Sequence, residues 1–158
     1  QGDWSSDVCS SDLTPPNLQH PRANVLHQVE TLLLTLPQTV TILRLGGLYG
    51  FDRTFSHRLR PGNIIDGAKD RLNLVHAEDC VQIMQQLILK PCAFSSIFNL
   101  VSDHHPTREE LYTRLAQDQH IDPPTFLQDN TPKNRIIAND AVKKVLGYSF
   151  RPLFTPID

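Results

Sequence analysis

Cysteine is scarce and poorly placed for structural use. Cys9, Cys80 and Cys92 make an odd count of 3 in 158 residues, with no CxxC pair. That argues against a disulfide framework and points to a reduced, cytoplasmic chain with incidental thiols. The 7 histidines include His104-His105, but no partner stands at zinc-ligand spacing, so no structural metal is expected. A basic excess is also missing. Lys+Arg total 15 against Asp+Glu 17, a net charge of −2, which argues against a dedicated nucleic-acid binder. Long apolar runs are absent too. A bilayer span needs about 20 such residues, whereas Thr31–Leu36 is short and breaks at Pro37. No charged-then-apolar leader opens the chain. With 39% hydrophobic residues there is still enough apolar material for a packed core. Association of like chains stays open.

Residues 1–13, QGDWSSDVCSSDL, repeat Ser-Ser-Asp and carry the single tryptophan. DWSSDVCSSDL resembles one reading frame of a sequencing-adapter oligonucleotide. It is set aside from fold reasoning as an appended segment, with a natural acidic linker as the rival. The domain is expected over 14–158, starting in the middle of a longer protein.

From Arg22 to Leu36, apolar residues fall at Val25, Leu26, Val29, Leu32, Leu33 and Leu36, the spacing of a helix with one buried stripe. Pro37 stops it. TVTILRL (39–45) reads as a central strand covered on both faces, running into the glycine-dense turn GGLYG. Residues 51–70 read as loop or short helix. Leu72–His76 is a short strand. Asp79 is expected to cap a helix to Leu89 whose apolar side carries Val81, Met84, Leu87 and Ile88. Ser96–Val101 is a second central strand. Thr107-Arg108-Glu109-Glu110 is a capping box opening a helix that buries Leu111, Leu115 and Tyr112. A proline-bearing loop covers 121–132, and Asn134–Ala138 is a third short strand. Asn139 caps a last helix to Leu146, with Gly147 as a left-handed C-cap. Such alternation means an α/β layer structure with mainly parallel strands.

Gly46, Gly47 and Gly50 do not make a dinucleotide fingerprint: the full G-x-G-x-x-G is absent, no amphipathic helix opens at Gly50, and no acidic residue ends a following strand about 20 positions on. Two readings stay open. The glycines permit positive φ and a tight exit from the strand, or their backbone, at the carboxyl end of a central strand, touches a cofactor or substrate.

TILRLGGLYG, LNLVHAEDCV, SIFNLVSDHHPTREELY and NDAVKKVLGYSF together resemble four successive landmarks of the extended short-chain dehydrogenase/reductases, or NAD-dependent epimerase/dehydratases, nearest to an atypical bacterial branch. The resemblance covers about Pro21 to Pro152. It implies the C-terminal half of a Rossmann-type NAD(P)-binding fold. It also implies NAD or NADP bound mainly by a missing N-terminal half, and a small polar substrate such as a nucleotide sugar. By resemblance, Gly46, Gly47 and Leu48 lie beside the nicotinamide end of the cofactor, and Tyr49, Arg53 and His76 face the substrate. The chain departs from the pattern in two ways. Phe51-Asp52 replace the usual Pro-Gly. With Glu30 taken as the family's helix glutamate, the Tyr-x-x-x-Lys dyad positions hold Arg22 and Leu26, which cannot act as acid/base and its activator. Loss of the dyad agrees with the atypical branch. A non-catalytic NAD(P)-binding sensor or scaffold is therefore the alternative to an enzyme.

Other polar residues have plainer readings beside these. Arg53 either clamps a phosphate or carboxylate or is a solvated loop arginine; His76 is a ligand contact or a hydrogen-bonded structural histidine. Asp103, His104 and His105 form a polar turn, solvated or facing the site. Arg44 is expected to pair internally and Leu26 to lie in the core. Cys80 is expected on the apolar side of a helix start and Cys92 stands next to a proline, so thiol catalysis is not expected. The cut through a parallel sheet is expected to leave a long apolar edge.

Overall fold

Five consecutive β-branched or long side chains, TILRL, form the first strand because they suit a pleated surface better than a helix. Around it, the computed structural model of the chain describes Gln19, Phe55, Leu59, Pro132 and residues 21–51, 62–90, 96–127 and 134–153. Residues 1–13 and Arg53 lie outside that set. The elements run α1 (Pro21–Leu34), β1 (Thr41–Leu45), β2 (Gly47–Tyr49), β3 (Ile64–Ile65), β4 (Leu74–His76), α2 (Ala77–Leu89), β5 (Ser96–Leu100), α3 (Arg108–Asp118), β6 (Thr125–Phe126) and α4 (Asp140–Leu146). All three ladders are parallel: β1 with β5, β2 with β4, β3 with β6. The α/β class with parallel strands is as expected.

The sheet is organised by a fork. β1 follows β5 from Thr41↔Ser96 to Leu45↔Leu100, and the Gly46 N–H still donates to the Leu100 carbonyl at 3.0 Å. One residue later the partner changes: the Gly47 N–H donates to the Asn73 carbonyl at 2.7 Å, and on the other side the Ser102 N–H donates to the Leu74 carbonyl at 2.7 Å. Successive carbonyls of a strand point to opposite edges, so β4 begins in the gap where β1 and β5 part. GGLYG is thus not a turn. Gly47–Tyr49 is a strand in register with Leu74–His76. Gly46 sits at the apex, where a Cβ would meet the Asn73 backbone oxygen at 2.7 Å. Close approach, not positive φ, demands glycine there.

β4 also sorts the core, because adjacent residues face opposite sides. Val75 packs with Cys80 and Ile83 of α2, Val142 of α4, and Phe98, Leu100, Tyr148 and Phe150. Leu74 packs on the other face with Leu111 of α3 and Leu153. A further cluster joins Leu59, Ile65, Tyr112 and Ala116. Each fully buried aliphatic side chain contributes roughly 1.5–3 kcal/mol.

Two expectations held in detail. Thr107 Oγ1 accepts from the Glu110 N–H at 3.1 Å while Glu110 Oε2 accepts from the Thr107 N–H at 2.7 Å, closing the capping box. Gly147, at φ 64°, ends α4 with its N–H on the Lys143 carbonyl.

Several did not. β3 and β6 lie in stretches read as loop; two-residue strands carry no period to detect. Residues 134–138 form no strand beyond a single bridge residue at Ile137, because asparagine side chains take over their backbone groups. Asn73 donates to the Arg135 carbonyl at 3.0 Å and accepts from the Ile137 N–H at 2.8 Å, and Asn99 donates to the Ala138 carbonyl. Asn139 stands at the N-cap of α4 without a capping bond; its amide instead donates to the Val101 carbonyl and to Asp103. The buried side of α2 is Asp79, Cys80 and Ile83, whereas Val81, Met84 and Ile88 are exposed. α1 buries no residue. Its stripe, Leu26 included, is exposed, since no described element covers it. β1 correspondingly is only half-buried, ending at an exposed Leu45, and so is not covered on both faces. What ties α1 to β1 is a bidentate pair, Arg44 to Glu30 at 2.8 and 2.6 Å, so Arg44 does pair internally.

Asn73→Ala removes two hydrogen bonds and is expected to cost about 2 kcal/mol, more than Thr107→Ala at about 1 kcal/mol; Gly46→Val is expected to cost about 3 kcal/mol through overpacking. Urea unfolding of the three variants reads the order, and a neutral Asn73→Ala is the contrary result.

Candidate functional site at the carboxyl edge of the sheet

Because β2 and β4 are parallel and in register, their last residues, Tyr49 and His76, close the ladder side by side. Their rings meet edge to face at 5.0 Å and 81°, and both project to the face that carries Leu74. This is the carboxyl edge, where open parallel sheets bind ligands.

His76 has a second duty. Its backbone is extended, at φ −75° and ψ 138°, and its side chain caps α2, with Nδ1 accepting the Glu78 N–H at 3.1 Å. The N-cap expected at Asp79 is therefore His76. The chain turns into the helix as soon as β4 ends, leaving Asp79 inside the first turn. A main-chain N–H can only donate, so Nδ1 bears a lone pair and the neutral ring carries its proton on Nε2. That nitrogen lies against Gly50, where a Cβ would come within 2.3 Å of it; Gly50 also holds φ 103°. Beyond it Phe51, at φ 49°, places an exposed ring 6.1 Å from His76.

Behind the histidine lies a buried charge. Asp79 is 1% exposed. Its Oδ1 accepts from the Tyr148 hydroxyl at 2.8 Å and from Arg151 Nε at 3.3 Å, and Arg151 Nη1 reaches Glu78 at 2.9 Å. Asp79 Oδ2 is buried without a hydrogen-bond partner among the described residues. Tyr148 and Arg151 are not among the site residues expected from the sequence. The available signal is the alternation in Tyr148-Ser149-Phe150, buried, exposed, buried, which marks an extended segment laid against a core.

The electrostatics make this a set of donors. Burial, then the charge of Asp79, pushes the Tyr49 phenol up to about 12. Burial, then the hydrogen bond to Asp79, raises Tyr148. Burial, then Arg151, lowers His76 and keeps it neutral. A phenol held that high is no general base near neutrality. Burial likewise raises the Cys80 thiol to about 11, leaving it unreactive.

The other candidates sort as follows. Gly46 and Gly47 are filled by internal packing, against Asn73 and Leu74 respectively, and the Leu48 side chain packs into the core cluster around Val75. Any ligand contact at 46–48 is thus left to the backbone. Asp103 binds Lys143 at 2.8 Å and Asn139 at 2.8 Å; burial raises it, but these bonds outweigh burial and hold it low. The His105 carbonyl accepts from Arg71, and burial lowers its imidazole. That turn is tied into the fold at Asp103 and at the His105 carbonyl. Among the described residues no cluster suits a metal ion, and no helix is long and apolar enough to cross a membrane.

No protein-family model and no curated protein sequence matches the chain. Solved structures do. A functionally unknown conserved protein from Silicibacter pomeroyi DSS aligns over 88% of this chain and 54% of its own, with TM-score 0.75 and 22% identity. MoeE5 in complex with UDP-glucuronic acid and NAD aligns over 93% and 56%, with TM-score 0.75 and 17% identity. The dTDP-glucose 4,6-dehydratase of Bacillus anthracis in complex with NAD aligns over 96% and 53%, with TM-score 0.73 and 13% identity. The fold, mixed α/β with parallel strands, matches the C-terminal part of Rossmann-type epimerase/dehydratase structures. At these identities it is the fold that is shared, and the chain spans about half the length of the structures it matches.

Two outcomes are expected here. Tyr148→Phe removes a hydrogen bond to a buried carboxylate and is expected to cost about 1.5–3 kcal/mol; Arg151→Met, which strips the neutralising partner, is expected to cost at least as much. Denaturant unfolding measures both. His76 and His105 bind protons more weakly folded than unfolded. Their stabilising effect is full above the ordinary histidine value of about 6.5 and is lost as pH falls below it. Thermal melts between pH 7.5 and 5.5, values set around that range, are expected to show a falling Tm, with a smaller fall in His76→Asn, whose amide oxygen still caps α2.

Proposed function

We propose that the chain supplies the substrate-side half of an NAD(P)-dependent epimerase- or dehydratase-like protein acting on a small polar substrate, a nucleotide sugar. The observation that carries this reading is the convergence of Tyr49 and His76 at the carboxyl edge of a parallel sheet. The structural likeness to NAD-containing complexes, one of them with UDP-glucuronic acid, supports it. In this reading Tyr49 and His76 donate hydrogen bonds that orient the sugar, and backbone at Gly46, Gly47 and Leu48 lies near the nicotinamide end; Arg53 is assigned to the substrate by the family resemblance alone. The described residues do not fit the cofactor's diphosphate. Neither Gly46 nor Gly47 leaves space, since a Cβ on either already meets its neighbours, and no fingerprint loop is present. We assign that grip mainly to an N-terminal half of the parent protein, and take the cytoplasm as its compartment.

The Tyr49 and Tyr148 phenols hold their protons firmly, and Arg22 and Leu26 occupy the dyad positions by resemblance. This favours keeping an NAD(P)-binding sensor as the second reading. One experiment separates the two. The polypeptide of the complete reading frame is incubated with NAD and UDP-glucuronic acid: an epimerised or dehydrated sugar supports the enzyme, and binding of both without product supports the sensor. Calorimetry on the 158-residue chain tests the half-site itself. UDP-glucuronic acid is expected to bind weakly, about tenfold weaker after Tyr49→Ala, the effect of losing about 1.4 kcal/mol, and NAD not to bind measurably. Tight NAD binding by this chain overturns the division of labour.

A further inference from the structure

We infer that His76 is a locked hydrogen-bond donor: its Nδ1 is committed to the cap of α2, and its Nε2–H is presented beside Gly50 to an acceptor oxygen of the bound ligand. This rests on the proposed nucleotide-sugar reading for the ligand and on geometry for the lock.

The lock has three parts. The cap fixes which nitrogen is bare, because the Glu78 N–H points at Nδ1 from 3.1 Å. A proton added at Nδ1 sets N–H against N–H and breaks the cap. The neighbouring rings fix the imidazole plane: Tyr49 lies edge-on at 5.0 Å and Phe51 tilts over at 6.1 Å. Glycine at 50 lets the ring take that position, since a Cβ would overlap Nε2, Cδ2 and Cε1, all within 2.7 Å. Nε2 itself makes no hydrogen bond among the described residues and is not sealed from solvent. A histidine so placed cannot accept a substrate proton: the nitrogen with the lone pair is used, and the nitrogen facing outward already carries hydrogen. Its chemistry suits a hydroxyl, carbonyl or carboxylate oxygen, the groups a sugar or uronic acid offers. Glu78, Asp79 and Arg151 are the charges around the ring. Arg151 is held to both carboxylates, so its charge is engaged away from the ligand.

Nitrogen-15 NMR on the full chain labelled at histidine tests the lock without ligand. The expected pattern for His76 is a bare Nδ1 and a protonated Nε2; the opposite tautomer, or a rapid mixture, overturns the inference. UDP-glucuronic acid is then added. The Nε2 signal is expected to move and Nδ1 to stay. His76→Asn, which keeps the cap oxygen but cannot extend a donor as far, is expected to fold normally and bind about tenfold more weakly. Binding that leaves Nε2 unmoved, or that survives His76→Asn unchanged, also overturns it. If the wild-type chain binds no UDP-glucuronic acid, the nucleotide-sugar reading fails along with the ligand half of this inference, while the tautomer still decides the lock.

Discussion

The parting of β1 and β5 at Gly46 is the constraint on which the rest depends. Two strands that run together must separate to admit a third, and every backbone donor and acceptor released there needs a new partner. The chain meets this within three residues: Gly46 stays with Leu100, Gly47 turns to Asn73, and Ser102 takes Leu74. No side chain fits at the apex because the Asn73 carbonyl already occupies the space. Asn73 then works twice, its main chain receiving β2 and its side chain gripping 135–137.

From that junction the position of the candidate site follows. The fork sets the β2–β4 register, the register pairs Tyr49 with His76, and the immediate start of α2 turns His76 into a cap. The helix in turn carries Asp79 into the core, where Tyr148 and Arg151 compensate it. A buried carboxylate is costly and gains little net stability from its partners, yet losing one partner is worse. The network therefore fixes geometry at the start of α2, and through it the orientation of the imidazole.

Much of this was legible in the residues, and the failures share a cause. β1, β5, the capping box at Thr107 and the Gly147 cap were readable because each rests on local rules: branched side chains, a reciprocal side-chain bond, a left-handed residue. The α/β class followed from their order. What was not readable depends on distant residues. Nothing in residues 134–138 says that Asn73, Asn99 and Asn139 surround them; β3 and β6 exist only because each finds the other. Asp79 looked like a cap because aspartate favours that position, and only the tight turn after β4 hands the role to His76. The stripe of α1 was correctly periodic and wrongly placed, since periodicity reports a face able to be covered and not whether a cover is present.

That uncovered helix carries a consequence of its own. α1 contributes nothing to either core cluster around β4 and meets β1 through one carboxylate–guanidinium pair. That pair is bidentate and part-buried, but no residue of α1 is buried beside it. The folding unit of the chain is thus the forked sheet with α2, α3 and α4, while α1 belongs thermodynamically to whatever it next touches. Its amides should exchange with deuterium long before those of β4, making the helix a detachable flap on an otherwise cooperative block.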